Sequence, residues 1–267
     1  MKPKLIRNVS ALQGEVQFNA QASRIAALLI VAEGTNNTGE TGDATDVGRF
    51  LINRFDNQTH NRKFETFQKI NDIRGGTSLT ESTTAGDFKH SCIIPFFEKG
   101  FFQALNITDE NELNIRIQPS NSVPTVFESL NIKVYALNAN VGERYDYYMV
   151  GNDQSYASAV SAVPESFARE NITNIFIENP DSIIEFLQLQ QDNETLISNI
   201  DYDALKAITA YQNQLEDGTN IQMVELKTFT EGVRSTVYNT GTVLTVSTSG
   251  SGQLLTTVCA MQPHENF

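Results

Sequence analysis

The strongest constraint on the fold is an order of events that the chain runs through twice. An alternating run, FLINRF (50–55), is followed by Asp56-Asn57-Gln58-Thr59. Later IIEFLQL (183–189) is followed by Asp192-Asn193-Glu194-Thr195. A mixed apolar segment comes next in both places. CIIPFF (92–97) then matches IQMVEL (221–226), and Glu98-Lys99-Gly100-Phe101 parallels Glu231-Gly232-Val233. LNIRI (113–117) lies over LTVST (244–248). A turn rich in Ser, Asn or Gly follows each, PSNSVP and TSGSG. Val134-Tyr135-Ala136-Leu137 finally matches Val258-Cys259-Ala260-Met261. Identities are few; it is the order that recurs. A period this long marks two copies of one domain.

The repeated elements read as β-strands. LNIRI and LNIKVYAL (130–137) alternate apolar and polar at period two, and the loops between runs are long and rich in Gly, Thr and Asn. The short Asn-Gly turns of simple hairpins are nearly absent, which favours the long crossings of a Greek key or jelly roll. An immunoglobulin sandwich is disfavoured because the chain has no Trp. The expected fold is mainly all-β: two tandem eight-stranded jelly-roll sandwiches with short helices in loops. The expected division is an N-terminal arm (1–14), a first jelly roll (15–140), a linker (141–170) and a second jelly roll (171–267). The alanine-rich stretch broken by Pro164 suggests that linker. Residues 64–73 fit a strand or a helix. Residues 201–216 predict a helix capped by Asp201, with Leu205, Ile208, Tyr211, Gln212 and Leu215 on its inner face.

Composition removes several functions. The net charge is −13, from 19 Lys and Arg against 32 Asp and Glu, which opposes coating of nucleic acid. The longest apolar run, IAALLIVA (25–32), cannot cross a bilayer, and no signal peptide is expected. Cys92 and Cys259 lie in apolar runs and read as buried free thiols, as in a reducing compartment. His60, His90 and His264 are scattered among polar neighbours, and no GxSxG, HExxH, CxxC or P-loop occurs. No enzyme activity, cofactor or metal is expected. The acidic stretch 108–112 (TDENE) reads as a solvated turn rather than a calcium loop. Tyr145, Tyr147 and Tyr148 form the one tyrosine cluster and read as domain packing. They are also the best candidate for a sugar- or receptor-binding platform.

What the residues favour is assembly. There are 16 Phe, and Phe96, Phe97, Phe101 and Phe102 crowd into FFEKGFF. They are divided between core and an inter-subunit contact. Lys2, Lys4 and Arg7 precede any acid and suit an anionic membrane surface as well as they suit a solvated terminus.

Two jelly rolls in one chain of this length, without a catalytic motif, resemble the double jelly-roll major capsid proteins of tailless, icosahedral, membrane-containing bacteriophages, the lineage that includes adenovirus hexon. The resemblance rests on architecture and size, from Val16 to Met261. It implies a homotrimer that imitates a hexagonal block, contacts with neighbouring capsomers and a penton or vertex protein, and no direct nucleic-acid contact. It implies a place in the virion capsid after synthesis in the host cytoplasm. The loops 34–48 and 75–86 would point outward. Lys2, Lys4 and Arg7 would face an inner membrane, and the Phe cluster would sit between subunits. The alternatives are a two-sandwich receptor- or carbohydrate-binding protein of a phage and a glycosidase on a β scaffold.

Overall fold

The computed structural model describes residues 1–11, 14–98, 100–167, 171–191, 194–213, 221–226 and 241–263. The chain divides into two compact units, Met1–Arg144 and Tyr145–Phe267.

In the first unit, β1 (Lys2–Ser10) and β2 (Val16–Asn19) precede the long strand β3 (Ser23–Asn36). The hairpin β4 (Gly48–Arg54) and β5 (Asn57–Lys63) leads into helix α1 (Phe64–Ile73). β6 (Thr80–Ser82), β7 (Asp87–Pro95), β8 (Leu105–Ile107) and β9 (Leu113–Pro119) follow. A single helical turn, α2 (Val123–Val126), and β10 (Phe127–Asn138) complete it. One sheet runs β1-β10-β3-β7-β6, with β8 also paired to β3; the other runs β5-β4-β9-β2. Alternate residues of both fill the core: Leu28, Ile30, Ile132 and Val134 from one sheet, Phe50, Ile52, Ile115 and Ile117 from the other. These are the period-two positions read from FLINRF, LNIRI and LNIKVYAL.

The second unit begins with β11 (Tyr145–Tyr156) and β12 (Val160–Ser166), then β13 (Ile172–Glu178). The hairpin β14 (Ile184–Gln191) and β15 (Glu194–Asp201) leads into helix α3 (Tyr202–Asn213). β16 (Ile221–Glu225), β17 (Thr242–Thr248) and β18 (Gly252–Pro263) follow. Its strands run β11-β18-β13-β16 and β15-β14-β17-β12. Ile175, Ile177, Leu187, Leu205, Val246 and Val258 belong to its core.

The two strand orders are the same. β1-β10-β3-β7 maps onto β11-β18-β13-β16, and β5-β4-β9-β2 onto β15-β14-β17-β12. Each unit also carries its helix directly after the same hairpin. The matched segments of the sequence fall on equivalent strands: β4 with β14, β7 with β16, β9 with β17, β10 with β18. Asp192, Asn193 and 231–233, used in that matching, lie outside the described residues.

The unit boundaries differ from the expected ones. Within the expected arm, β1 is not free but zipped to β10 from Lys2↔Asn138 to Ser10↔Asn131. Within the expected linker, residues 145–166 carry β11 and β12, which pair with β18 and β17. Each unit therefore opens with the same pair of strands, and the chain divides between Arg144 and Tyr145. Among the described residues the first unit holds ten strands rather than eight.

Residues 64–73 are helical because Phe64, Phe67, Ile70 and Ile73 are all buried. A strand would send alternate members of that series to opposite faces. In α3, Asp201 caps the helix, its Oδ1 accepting from Ala204 N at 2.7 Å. Its inner face is Leu205 and Thr209, one turn apart, whereas Tyr211 is 88% exposed, against expectation. Tyr211 lies six residues past Leu205, far round the helix from it. The expected residues 214–216 lie outside the described residues. At Gly34, β3 runs tight against β10: a Cβ there would collide with Ser129 O.

Candidate interaction surfaces

The first unit has two chemically distinct ends, fixed by strand direction. β3 finishes at Asn36 beside Phe127, where β10 begins, and starts at Ser23 near the place where β10 finishes. At the Asn36 end three loops converge. Asn37 N donates to Val126 O, Ala85 N to Glu40 O, and Asn36 Nδ2 to Thr83 O. Thr41 Oγ1 and Thr84 Oγ1 are 2.5 Å apart. The loops read as 34–48 and 75–86 are thus knitted together, and residues 38–41 are exposed. The rest of the first loop folds inward through a capping box between Asp43 and Asp46 and the buried Ala44 and Val47.

The opposite end holds Met1. Here Ala139 N donates to Arg24 O and Arg24 Nη1 to Asn140 Oδ1. A pocket of about 600 Å³ opens there, lined by Met1, Lys2, Arg24, Phe102, Ala139 and Val141 among others, with no Asp or Glu among the described residues that line it. One basic residue of the N-terminus and one Phe of the FFEKGFF cluster meet in it.

That cluster divides. Phe96 is 1% exposed and belongs to the core, contrary to an interface role. Its backbone continues the β7 ladder through Phe96 N to Ala26 O, and its ring meets His60 edge-on at 5.1 Å. Phe97 is half-buried, while Phe101 and Phe102 are 37% and 43% exposed. Phe97 and Phe102 pack edge to face at 4.8 Å. The segment is pinned by Gln103, whose Nε2 donates to Phe96 O, and by Arg74 on the Glu98 carboxylate at 3.1 Å. Lys99 lies outside the described residues.

Lys2, Lys4 and Arg7 are all exposed. They oppose Asn138, Ala136 and Val134 in register, so they form one row on the core-side face of β1. β1 ends the strand order of its sheet, and Lys4 reaches the side chain of Gln21 at 3.3 Å. The far face of the same sheet carries an apolar row across four strands, Leu5↔Tyr135↔Leu29↔Ile93. Leu5 is 50% exposed and the other three are half-buried. A solvated sheet face ordinarily carries polar residues.

Arg54 sits between Glu112 and Glu143, donating to Glu112 Oε1 at 2.7 Å and Glu143 Oε2 at 3.1 Å. Glu112 also accepts from Thr108 N, and Glu143 from Asn106 N. The end of the TDENE stretch is thus a buried anchor rather than a solvated turn.

The remaining candidates are structural. Tyr145, Tyr147 and Tyr148 are buried, so they offer no aromatic platform. Cys92 and Cys259 are buried thiols outside any disulfide, and burial pushes the Cys92 thiol up. His60 is fully buried, its Nε2 donating to Pro95 O at 2.9 Å, and burial lowers its pKa to about 4. His90 stacks on Phe88 at 4.6 Å, and burial lowers its pKa also. His264 lies outside the described residues. The pocket bearing on Phe102, the apolar sheet row and the anchor at Glu112 were hidden in the sequence. Each depends on strand register that alternation alone leaves open.

No protein-family profile and no curated protein matches the chain. Solved structures do. The major capsid protein of STIV, the Sulfolobus Turreted Icosahedral Virus, superposes with a TM-score of 0.77 at 8% identity, covering 98% of this chain and 96% of that one. The major capsid protein P2 from Bacteriophage PM2 gives 0.65 at 10% identity, covering 98% and 96%. The PBCV-1 virus capsid gives 0.61 at 8% identity, covering 97% and 94%. The chain has the double jelly-roll fold of these proteins over nearly its whole length.

Proposed function

We propose that this chain is the major capsid protein of an icosahedral virus, a bacteriophage by the resemblance drawn from its sequence. The observation that carries the reading is the identical strand order of the two units, over a length that matches viral capsid proteins almost end to end. Three chains supply six similar sandwiches and so tile as a pseudo-hexagonal block, while only three bodies have to associate. The trimers join neighbouring capsomers and a vertex protein in a shell around an internal membrane. The loop end faces outward, and the acidic surface keeps the protein off the genome.

Self-association needs apolar surface, and the row Leu5, Tyr135, Leu29 and Ile93 supplies it on the first unit. A receptor- or carbohydrate-binding role has less support, because its best platform, the tyrosine cluster, is buried. Light scattering at micromolar concentration is expected to give a mass three times that of the chain, with hexagonal blocks in electron micrographs. A stable monomer under those conditions would remove the proposal.

A further inference from the structure

We propose that the pocket at the Met1 end of the first unit binds one anionic phospholipid of a bilayer, an acyl chain against Phe102 and Val141 and the phosphate at Lys2 and Arg24. It rests on the shell reading only for a lipid layer to face.

The lining decides the class of ligand. Met1, Phe102, Ala139 and Val141 make an apolar wall, Lys2 and Arg24 are the charged residues among the lining, and both are cations. On a chain of net charge −13 this is a local reversal of sign, and it occurs beside apolar surface. An inorganic anion would leave the wall unfilled. A neutral hydrocarbon would bring the cations no opposite charge. An anionic amphiphile satisfies both. The exposed acids Asp109 and Glu110 sit on the turn after β8 and do not line the pocket.

The wall is also held in place. Phe102 packs against Phe97, and the segment carrying both is tied by the Gln103 and Glu98 contacts. A partly exposed aromatic fixed in this way suits the interfacial layer of a bilayer, where ring and head groups share the same depth. Its volume, about 600 Å³, lies within the range of small-ligand sites. Arg24 is oriented by Asn140, 2.9 Å away. Lys4 and Arg7 follow Lys2 along β1, leading away from the pocket, and do not line it.

Vesicle flotation tests this, using phosphatidylcholine alone and phosphatidylcholine with phosphatidylserine, with light scattering on the same samples. The wild type is expected to float with the anionic vesicles only. Lys2→Gln and Arg24→Gln each lower binding by about fivefold and flatten its salt dependence. Phe102→Ser lowers binding while leaving the salt dependence unchanged. Three results overturn the site: particles that assemble and do not float, variants that float like the wild type, and variants that alter only the mass, which would make a second copy the occupant. Displacement of the vesicles by inorganic phosphate at low ionic strength likewise refutes it in favour of a free-anion site. A monomer that still floats through Phe102 would sink the shell reading and leave the lipid site standing.

Discussion

At the scale of single residues, the FFEKGFF cluster gives the clearest contrast. Phe96 is enclosed by His60 and the core, so Phe96→Ala is expected to cost about 3–5 kcal/mol of unfolding free energy. Phe102→Ala, at a solvent-facing site, is expected to change it by about 0.5 kcal/mol or less. Urea denaturation of the two variants checks the pair, and equal costs would contradict the division. His60 carries a pH signature. Its imidazole is held neutral, with the folded value at about 4 against 6.5 for the free side chain. Above pH 6.5 neither state takes the proton and His60 has no effect on stability. As pH falls from 6.5 towards 4, the unfolded chain binds a proton that the folded chain refuses, so stability is lost, by about 3 kcal/mol in all. His60→Gln is expected to flatten that decline between pH 7 and 4.5. A variant whose urea midpoint falls as steeply as the wild type would exclude His60 as its source.

At the scale of elements, the strands with a buried face were legible and the edge strands were not. FLINRF, LNIRI and LNIKVYAL alternate because one side of each meets the core, and equivalent runs could be matched between the halves. β1 and β12 gave no such pattern. β1 is exposed on both faces along most of its length, so KPKLIRNVS shows charge where a central strand would show valine. β12 ends the strand order of its sheet, where Pro164 is tolerated opposite Thr245 because an outermost strand needs no second ladder. Without an alternating face, those two strands look in sequence like an arm and a linker. The inner face of α3 keeps the expected Leu205 buried and Ile208 half-buried but excludes Tyr211, and the buried hydroxyl of Thr209 bonds Met223 O and N at 3.3 Å. The start of that helix was legible: Asp201→Ala is expected to lose about 1 kcal/mol, read as a lower melting temperature. An unchanged melt would mean that the cap has no energetic role. The pocket wall was illegible because Lys2, Arg24, Phe102 and Val141 are far apart in sequence and meet only once β1 and β3 flank β10.

At the scale of the whole molecule, association is predicted to run through the apolar row of the first sheet. Leu5→Asp places a charge at its most exposed member without touching the core. Light scattering is expected to register a fall from three chains to one, with the melting curve of the separated chain intact; an undiminished trimer would move the contact elsewhere. The doubled strand order has a further consequence. When six identical subunits close a ring, every station must carry the same side chains, and any change is made six times over. Here the station filled by β1, with its lysines in the open, is filled in the other copy by β11, whose first residues include three buried tyrosines. The doubling lets one position in the fold carry two chemistries, a row of cations on one repeat and buried aromatics on its twin, while the strand order stays the same.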